Sequence, residues 1–245
     1  MKTIHINCDL GEGGKYDAQL MPHISACNIA CGGHAGDVET MQKTVSLAIQ
    51  NNVEIGAHPS YPDVENFGRK SLDISDYELK RSIQEQVFSL LEIVKKQGKK
   101  LSHIKAHGAL YNDAARDEKI ALIFINSILE SKLNLPLYVP ENSLISKLAN
   151  GKIPMLFEGF ADRNYNLDFS LVSREKTNAL ITQKEAVFLH LFSMFSKGEI
   201  VCVNNLKIPS NAVTFCLHSD TPNSVEILQF LAEKFNDLNI QIANG

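Results

Sequence analysis

The residues of this chain that could carry chemistry gather at the ends of short apolar runs. The densest group is His103-Ile104-Lys105-Ala106-His107-Gly108-Ala109-Leu110-Tyr111-Asn112. Read as a strand entering a glycine turn, it alternates sides: His103, Lys105 and His107 share one face, Ile104 and Ala106 the other. Two imidazoles and an ammonium are costly to point into a dry core. They suit the mouth of a sheet or barrel, where the last of them meets substrate, metal or water. A histidine simply satisfied by hydrogen bonds inside the core is the plainer reading of any one of them. Against it, four of the eight histidines (His34, His58, His107 and His218) fall just after predicted strands. Asp9, Glu12, Asn28, Asp63, Tyr111, Asp162, Arg163 and Asp220 occupy similar places.

Two chemistries fit this set. Asp9, His58 and His107 form a carboxylate–imidazole–imidazole triad, a common way to hold a catalytic divalent metal with open positions. The metal-free alternative uses a carboxylate and a histidine as general base and acid, with Lys105 stabilising charge on a carbonyl or phosphoryl oxygen. His103 and His107 also have the i, i+4 spacing of a helical zinc site, but their segment reads as strand. Asp37 and Asp220 could equally cap helices, and Asp63 could complete a proline turn. Gly11-Glu12-Gly13-Gly14-Lys15 is not a P-loop: Asp9 stands where the first glycine is required, and Tyr16 follows the lysine. A loop this rich in glycine could still present amides to phosphate. No nucleophile elbow and no catalytic setting for a cysteine are found.

The elements that must position these residues alternate between strand and helix. Strands are expected over 3–9, 25–30, 53–57, 103–107, 135–139, 153–158 and 213–217. Helices are expected after Asp37, from the Ser75-x-x-Glu78 capping box to Gly98, around Ile120–Ile128, near Ser143–Ala149, from Thr182-x-x-Glu185 to Gly198, and over Val225–Asn236. Asn204-Asn205 predicts a hairpin turn. Such repeated units favour a parallel sheet with helices outside. A closed seven-stranded (β/α) barrel fits better than an open sheet, because polar clusters follow nearly every strand and a barrel turns them all to one mouth. No linker divides residues 1–245, so one barrel domain is expected.

Composition narrows the function classes. Of 245 residues, 44% are hydrophobic and 21% charged, enough for a sizeable core. A net charge of −4 gives no electrostatic reason to expect nucleic acid. The basic run Lys95–Lys100 reads as a solvated helix end. No window approaches a membrane span and no apolar leader is evident, so a cytoplasmic protein is expected. Five cysteines without Cys-x-x-Cys spacing argue against a disulfide framework or a zinc knuckle.

Several strand ends carry longer motifs: Asn7-Cys8-Asp9-Leu10-Gly11-Glu12, Asn28 to Asp37, Gly56 to Asp63, Phe67-Gly68-Arg69, Lys105 to Asn112, Phe160 to Tyr165 and His218 to Pro222. Together they resemble the LamB/YcsF family along essentially the whole chain. The resemblance implies a barrel like those of glycoside hydrolases and polysaccharide deacetylases. It also implies ATP-dependent opening of 5-oxoproline to L-glutamate by a 5-oxoprolinase, of which this chain would be the A component and two further subunits, B and C, the partners. Under it, Asp9, Glu12, Lys105 and His107 are the expected catalytic groups. Substrate contacts are expected from Asn28, His34, Arg69, Tyr111, Asp162, Arg163 and His218, with Arg163 or Arg69 holding the substrate carboxylate. The Asp9/His58/His107 set also resembles the metal triad of small carbohydrate deacetylases, which implies a divalent-metal amidohydrolase as the alternative. Homo-oligomerisation, the ATP site and the presence of a metal stay open. Gly33, Ala106, Ser219 and Val139–Asn142 depart from the family pattern without removing an acid, base or ligand.

Overall fold

The computed structural model describes residues 2–244. In chain order its elements begin β1 (Lys2–Ile4), β2 (Ile6–Leu10), α1 (Asp17–Leu20), β3 (Ala26–Ala30), α2 (Val38–Gln50) and β4 (Glu54–His58). The middle holds α3 (Asp76–Lys96), β5 (His103–Lys105), α4 (Gly108–Arg116), α5 (Glu118–Ser131), β6 (Leu137–Pro140), α6 (Leu144–Ala149) and β7 (Met155–Phe160). The chain ends with α7 (Lys184–Lys197), β8 (Glu199–Val201), β9 (Lys207–Pro209), β10 (Thr214–Cys216), α8 (Ser224–Asp237) and β11 (Ile240–Ile242).

Seven of the strands close into a parallel barrel in the order β2-β3-β4-β5-β6-β7-β10, with β10 returning to β2. The sequence expectation of a seven-stranded barrel holds. Its physical basis is strand alternation: Ile6, Cys8, Leu10, Cys27, Ile29, Ala57 and Ile104 are buried between strands and helices. α2 offers Met41, Val45 and Ala48 to that layer, and α3 offers Leu79, Ile83, Val87, Leu90 and Val94. Asp37 caps α2 through Thr40 N, and the Ser75/Glu78 box caps α3, both as expected. The hairpin at Asn204-Asn205 joins β8 to β9, with Asn205 left-handed.

Three local expectations are corrected. Helix α4 follows β5 directly, where the sequence reading passes from a glycine turn to Ile120; its short polar-studded stretch lacks the long apolar period of a surface helix. Thr182 caps nothing: α7 starts after Gln183 with no side-chain cap. Asp220 does not cap α8, whose cap position is Asn223 in a left-handed conformation. The chain also pairs β1 with β11 in a small parallel sheet outside the barrel, a pairing that short terminal runs do not announce.

Inside the barrel the layer is polar. Asp9, Asn28, Gly56 and His103 stand in register across four adjacent strands. Asn28 Nδ2 donates to Asp9 Oδ1 (2.7 Å) and Asn7 Oδ1 (2.8 Å), and His103 Nε2 lies 2.6 Å from Asn28 Oδ1. The His103 ring stacks on Tyr138 at 3.9 Å and fills the space over Gly56, where any Cβ would collide with it. Gly56→Ala is therefore expected to displace His103 and destabilise the fold by about 2 kcal/mol, read by chemical denaturation. An unchanged midpoint would contradict this packing.

Candidate active site

At the C-terminal end of the barrel a cavity of about 630 Å³ opens between the βα loops. Its floor is built from the strand ends. Lys105, at the end of β5, is 2% exposed and sits between two carboxylates, 2.9 Å from Asp9 Oδ1 and 2.9 Å from Glu158 Oε1. Its Nζ also lies 3.2 Å from Cys216 Sγ. Burial alone would neutralise this amine, but Asp9, Cys216 and Glu158 reverse the effect and raise its pKa well above the ordinary lysine value. Burial likewise pushes the Asp9 carboxyl up, and His58 and Lys105 outweigh it, leaving Asp9 well below the usual carboxylate range.

Above this pair the imidazoles converge. His58 Nδ1 lies 2.9 Å from the Lys105 carbonyl, so it carries the proton and donates, leaving Nε2 as a lone pair. His107 Nε2 lies 3.0 Å from the Phe67 carbonyl, so its Nδ1 is the lone pair. Phe67 and Gly68 are both left-handed, and this tight turn brings that carbonyl over the ring. The two lone pairs face each other at 3.0 Å. Asp9 Oδ2 lies 3.4 Å from His58 Nε2, and Glu12 Oε1 lies 3.2 Å from His107 Nδ1 and 3.9 Å from His58 Nε2. His34 stacks on His107 at 3.6 Å and places Nε2 3.0 Å from Glu12 Oε1.

These atoms are electron-rich: with His58 and His107 donating to main-chain carbonyls, the ring N–H that reaches a carboxylate here is His34 Nε2–H, toward Glu12 Oε1. Burial lowers the pKa of His107 and pushes His34 down to about 4, so neither ring neutralises the carboxylates at neutral pH. Burial raises Glu12, but its contacts with the His107 and His34 rings dominate and hold it below its ordinary range. Three largely buried carboxylates, Asp9, Glu12 and Glu158, thus face one ammonium. Contacts of 3.0 to 3.9 Å join Asp9 to His58, His58 to His107, and Glu12 to both imidazoles. Among the described residues the compact groups able to hold a metal are Glu12, His34 and His107, and Asp9, Cys216 and His218.

The remaining expected contacts divide. Tyr111 and Arg69 line the cavity, as does His218, whose ring stacks on Phe160. Asn28, His34 and Asp162 lie behind the cavity wall, fully buried. Asp162 accepts from His218 N (2.9 Å) and Thr221 Oγ1 (2.5 Å) and lies 3.0 Å from His218 Nδ1, fixing the loop after β10. Arg163 lines the cavity but directs its guanidinium to the carbonyls of Val172 (2.7 Å) and Ala179 (3.4 Å), anchoring the segment that follows β7. The space beside Gly33 is filled by Gln86 and Ser60. Sequence reasoning misses Glu158 and Arg174. A charged residue at the close of the apolar run of β7 is the available signal for Glu158; Arg174 lies in an irregular stretch with none.

The chain is thus a seven-stranded (β/α) barrel with a carboxylate–imidazole cluster and a buried lysine at its mouth. The profile of the LamB/YcsF family matches residues 4–245, and the chain belongs to that family. A relative from Haemophilus influenzae (strain PittEE), named as the A subunit of 5-oxoprolinase, is 38% identical over 243 residues, covering 99% of both chains. The lactam utilization protein of Thermus thermophilus superposes over the whole of both chains with a TM-score of 0.92 at 28% identity. A family 4 carbohydrate esterase from Streptomyces lividans shares the fold alone, with a TM-score of 0.50 at 9% identity and coverage of 98% and 91%. Among the described residues no helix is long and apolar enough to cross a membrane.

Two measurements test this site. Titrating the purified chain with Zn²⁺ or Mn²⁺ by calorimetry should show one site, weakened at least ~10-fold by Glu12→Gln or His58→Gln. A raised melting temperature should accompany binding; no heat and no shift would rule the ion out. Burial raises Asp162, but His218 and Thr221 hold it down at about 2. Its stabilisation is present above the unfolded value near 4 and disappears as pH falls through about 2. Asp162→Asn should then be less stable than wild type by about 2 kcal/mol at neutral pH, the gap closing between about pH 4 and 2. A pH-independent gap would contradict the assignment.

Proposed function

We propose that this chain is the A subunit of an ATP-dependent 5-oxoprolinase. With subunits B and C it would open 5-oxoproline to L-glutamate, coupled to hydrolysis of ATP to ADP and phosphate. The observation that carries the reading is full-length similarity to relatives bearing the 5-oxoprolinase name, combined with an acid–base and cationic set at the floor of one cavity.

A five-membered lactam is a poor electrophile, and its opening is uphill without coupling. Transfer of a phosphoryl group from ATP to the amide oxygen releases ADP and leaves an activated carbon. Water then adds, and cleavage of the ring C–N bond, with the proton passing to nitrogen, gives an acyl phosphate that a second water hydrolyses to glutamate and phosphate. In this reading Asp9 or Glu12, with His107, takes the proton from that water. Lys105 donates to Asp9, Cys216 and Asn7 and pairs with Glu158, so its contribution is a fixed positive potential beneath the reacting carbonyl. A divalent ion on Asp9, Glu12, His58 and His107 would polarise a carbonyl or phosphoryl oxygen there.

The lone-pair cluster favours a second reading, a divalent-metal amidohydrolase acting on a carbohydrate-like N-acyl substrate without ATP. Glutamate release from 5-oxoproline, followed with the chain alone and with subunits B and C, separates the two. The proposal expects release only from the assembled complex and only with ATP, and loss of at least ~100-fold in kcat on Asp9→Asn. Hydrolysis by the chain alone without ATP would overturn it.

A further inference from the structure

Opposite the metal-capable floor, the rim of the same cavity carries a second charged arrangement. Arg69, from the loop after β4, and Arg174, from the segment after β7, both donate to a single oxygen of Asp220, at 2.5 and 3.2 Å. All three residues line the cavity. Two guanidiniums on one carboxylate leave a net positive charge at the mouth. Asp220 Oδ1 has no partner among the described residues.

Each member stands on a rigid base. Arg69 follows the left-handed Phe67-Gly68 turn, its backbone N donates to Asn66 O, and its guanidinium lies 4.9 Å from the Phe67 ring centroid. Asp220 lies between His218 and Thr221, both fixed by Asp162. Arg174 is two residues beyond Val172, whose carbonyl is held by the Arg163 guanidinium. The backbone beside both arginines is thus held, the Arg69 guanidinium also by Phe67, while the two guanidiniums meet at Asp220 in an ion pair of half-exposed side chains, 44% and 38% for Arg69 and Asp220. Such pairs contribute little and exchange easily for a ligand anion.

We propose that Arg69 and Arg174 are the recognition site for the substrate's carboxylate, and that Asp220 holds the pair in place until the ligand displaces it. The inference rests on the reading of the substrate as 5-oxoproline and deepens it. A lactam bearing a carboxylate would then be held at the rim by this pair, with its amide reaching toward Lys105, His58 and His107. Arg163, whose donors are engaged by main-chain carbonyls, acts as a positioning residue for Arg174.

The test compares 5-oxoproline with 2-pyrrolidinone, the same lactam without the carboxylate. By calorimetry the full chain should bind 5-oxoproline at least ~10-fold more tightly, and Arg69→Gln or Arg174→Gln should bring that ratio close to one. In the assembled complex the same variants should raise KM for 5-oxoproline on the order of 10-fold or more with kcat nearly unchanged, the pattern of a lost ground-state contact. Asp220→Asn should tighten 5-oxoproline binding, since the internal competitor is gone. A ratio that survives in both arginine variants, or a wild type blind to the carboxylate, overturns the site. A rise in KM for ATP with that for 5-oxoproline unmoved reassigns the pair to phosphate and overturns the carboxylate. Weaker binding in Asp220→Asn overturns displacement. A wild-type complex that releases no glutamate refutes the proposed reaction instead, and the calorimetric ratio still decides the inference.

Discussion

A single ammonium group organises the interior of this barrel. Lys105 reaches the axis from β5 and is clamped by Asp9 from β2 and Glu158 from β7, so one charge ties together three separate strands. Removing either partner would leave an uncompensated ion in a dry setting, which is far more costly than never having placed the pair there. A polar layer of Asn7, Asn28 and His103 lies beneath and braces the Asp9 arm of this clamp. Asn28 shares Asp9 Oδ1 with the lysine and takes its own support from His103.

From that clamp follows the chemistry above it. With Asp9 Oδ1 committed below, Oδ2 is turned toward His58, and the backbone carbonyls of Lys105 and Phe67 fix the tautomers of His58 and His107. The result is a cluster in which Asp9 Oδ2, His58 Nε2 and His107 Nδ1 turn acceptor atoms toward one another. Because strands carry Asp9, His58 and Lys105, their positions are set by barrel geometry; the turn after β5 supplies His107, and loops supply Glu12 and the arginines of the rim. Floor and rim therefore differ in kind. The floor is buried, preorganised and negative before any ion binds; the rim is half-exposed and positive.

Much of this is legible in the sequence because barrel mouths have a local signature. An apolar strand that ends in His or Asp is read without knowing its neighbours, and Asp9, His58, Lys105 and His107 are found that way. Closure into seven strands follows from counting such runs. What escapes depends on long-range pairing. Glu158 becomes meaningful only when β7 is placed opposite β5, and Arg174 only when its segment crosses toward Asp220. Arg163 looks like a ligand arginine, but two main-chain carbonyls sixteen and nine residues along the chain claim it. Asn28, His34 and Asp162 are legible as polar strand-end residues, yet burial depth, which has no sequence signal, places them behind the cavity. The missed α4 is of the same origin, since its helical state is stabilised by packing of Leu110 and Ala114 rather than by a long periodic stripe.

The most direct test of the clamp is a double-mutant cycle on folding stability with Lys105→Met and Asp9→Asn. Each single variant should lose about 3–5 kcal/mol, and the double variant should lose much less than the sum, with a coupling of at least about 2 kcal/mol. Additive losses would show that the two charges do not depend on each other, and the structure of the site would need another foundation.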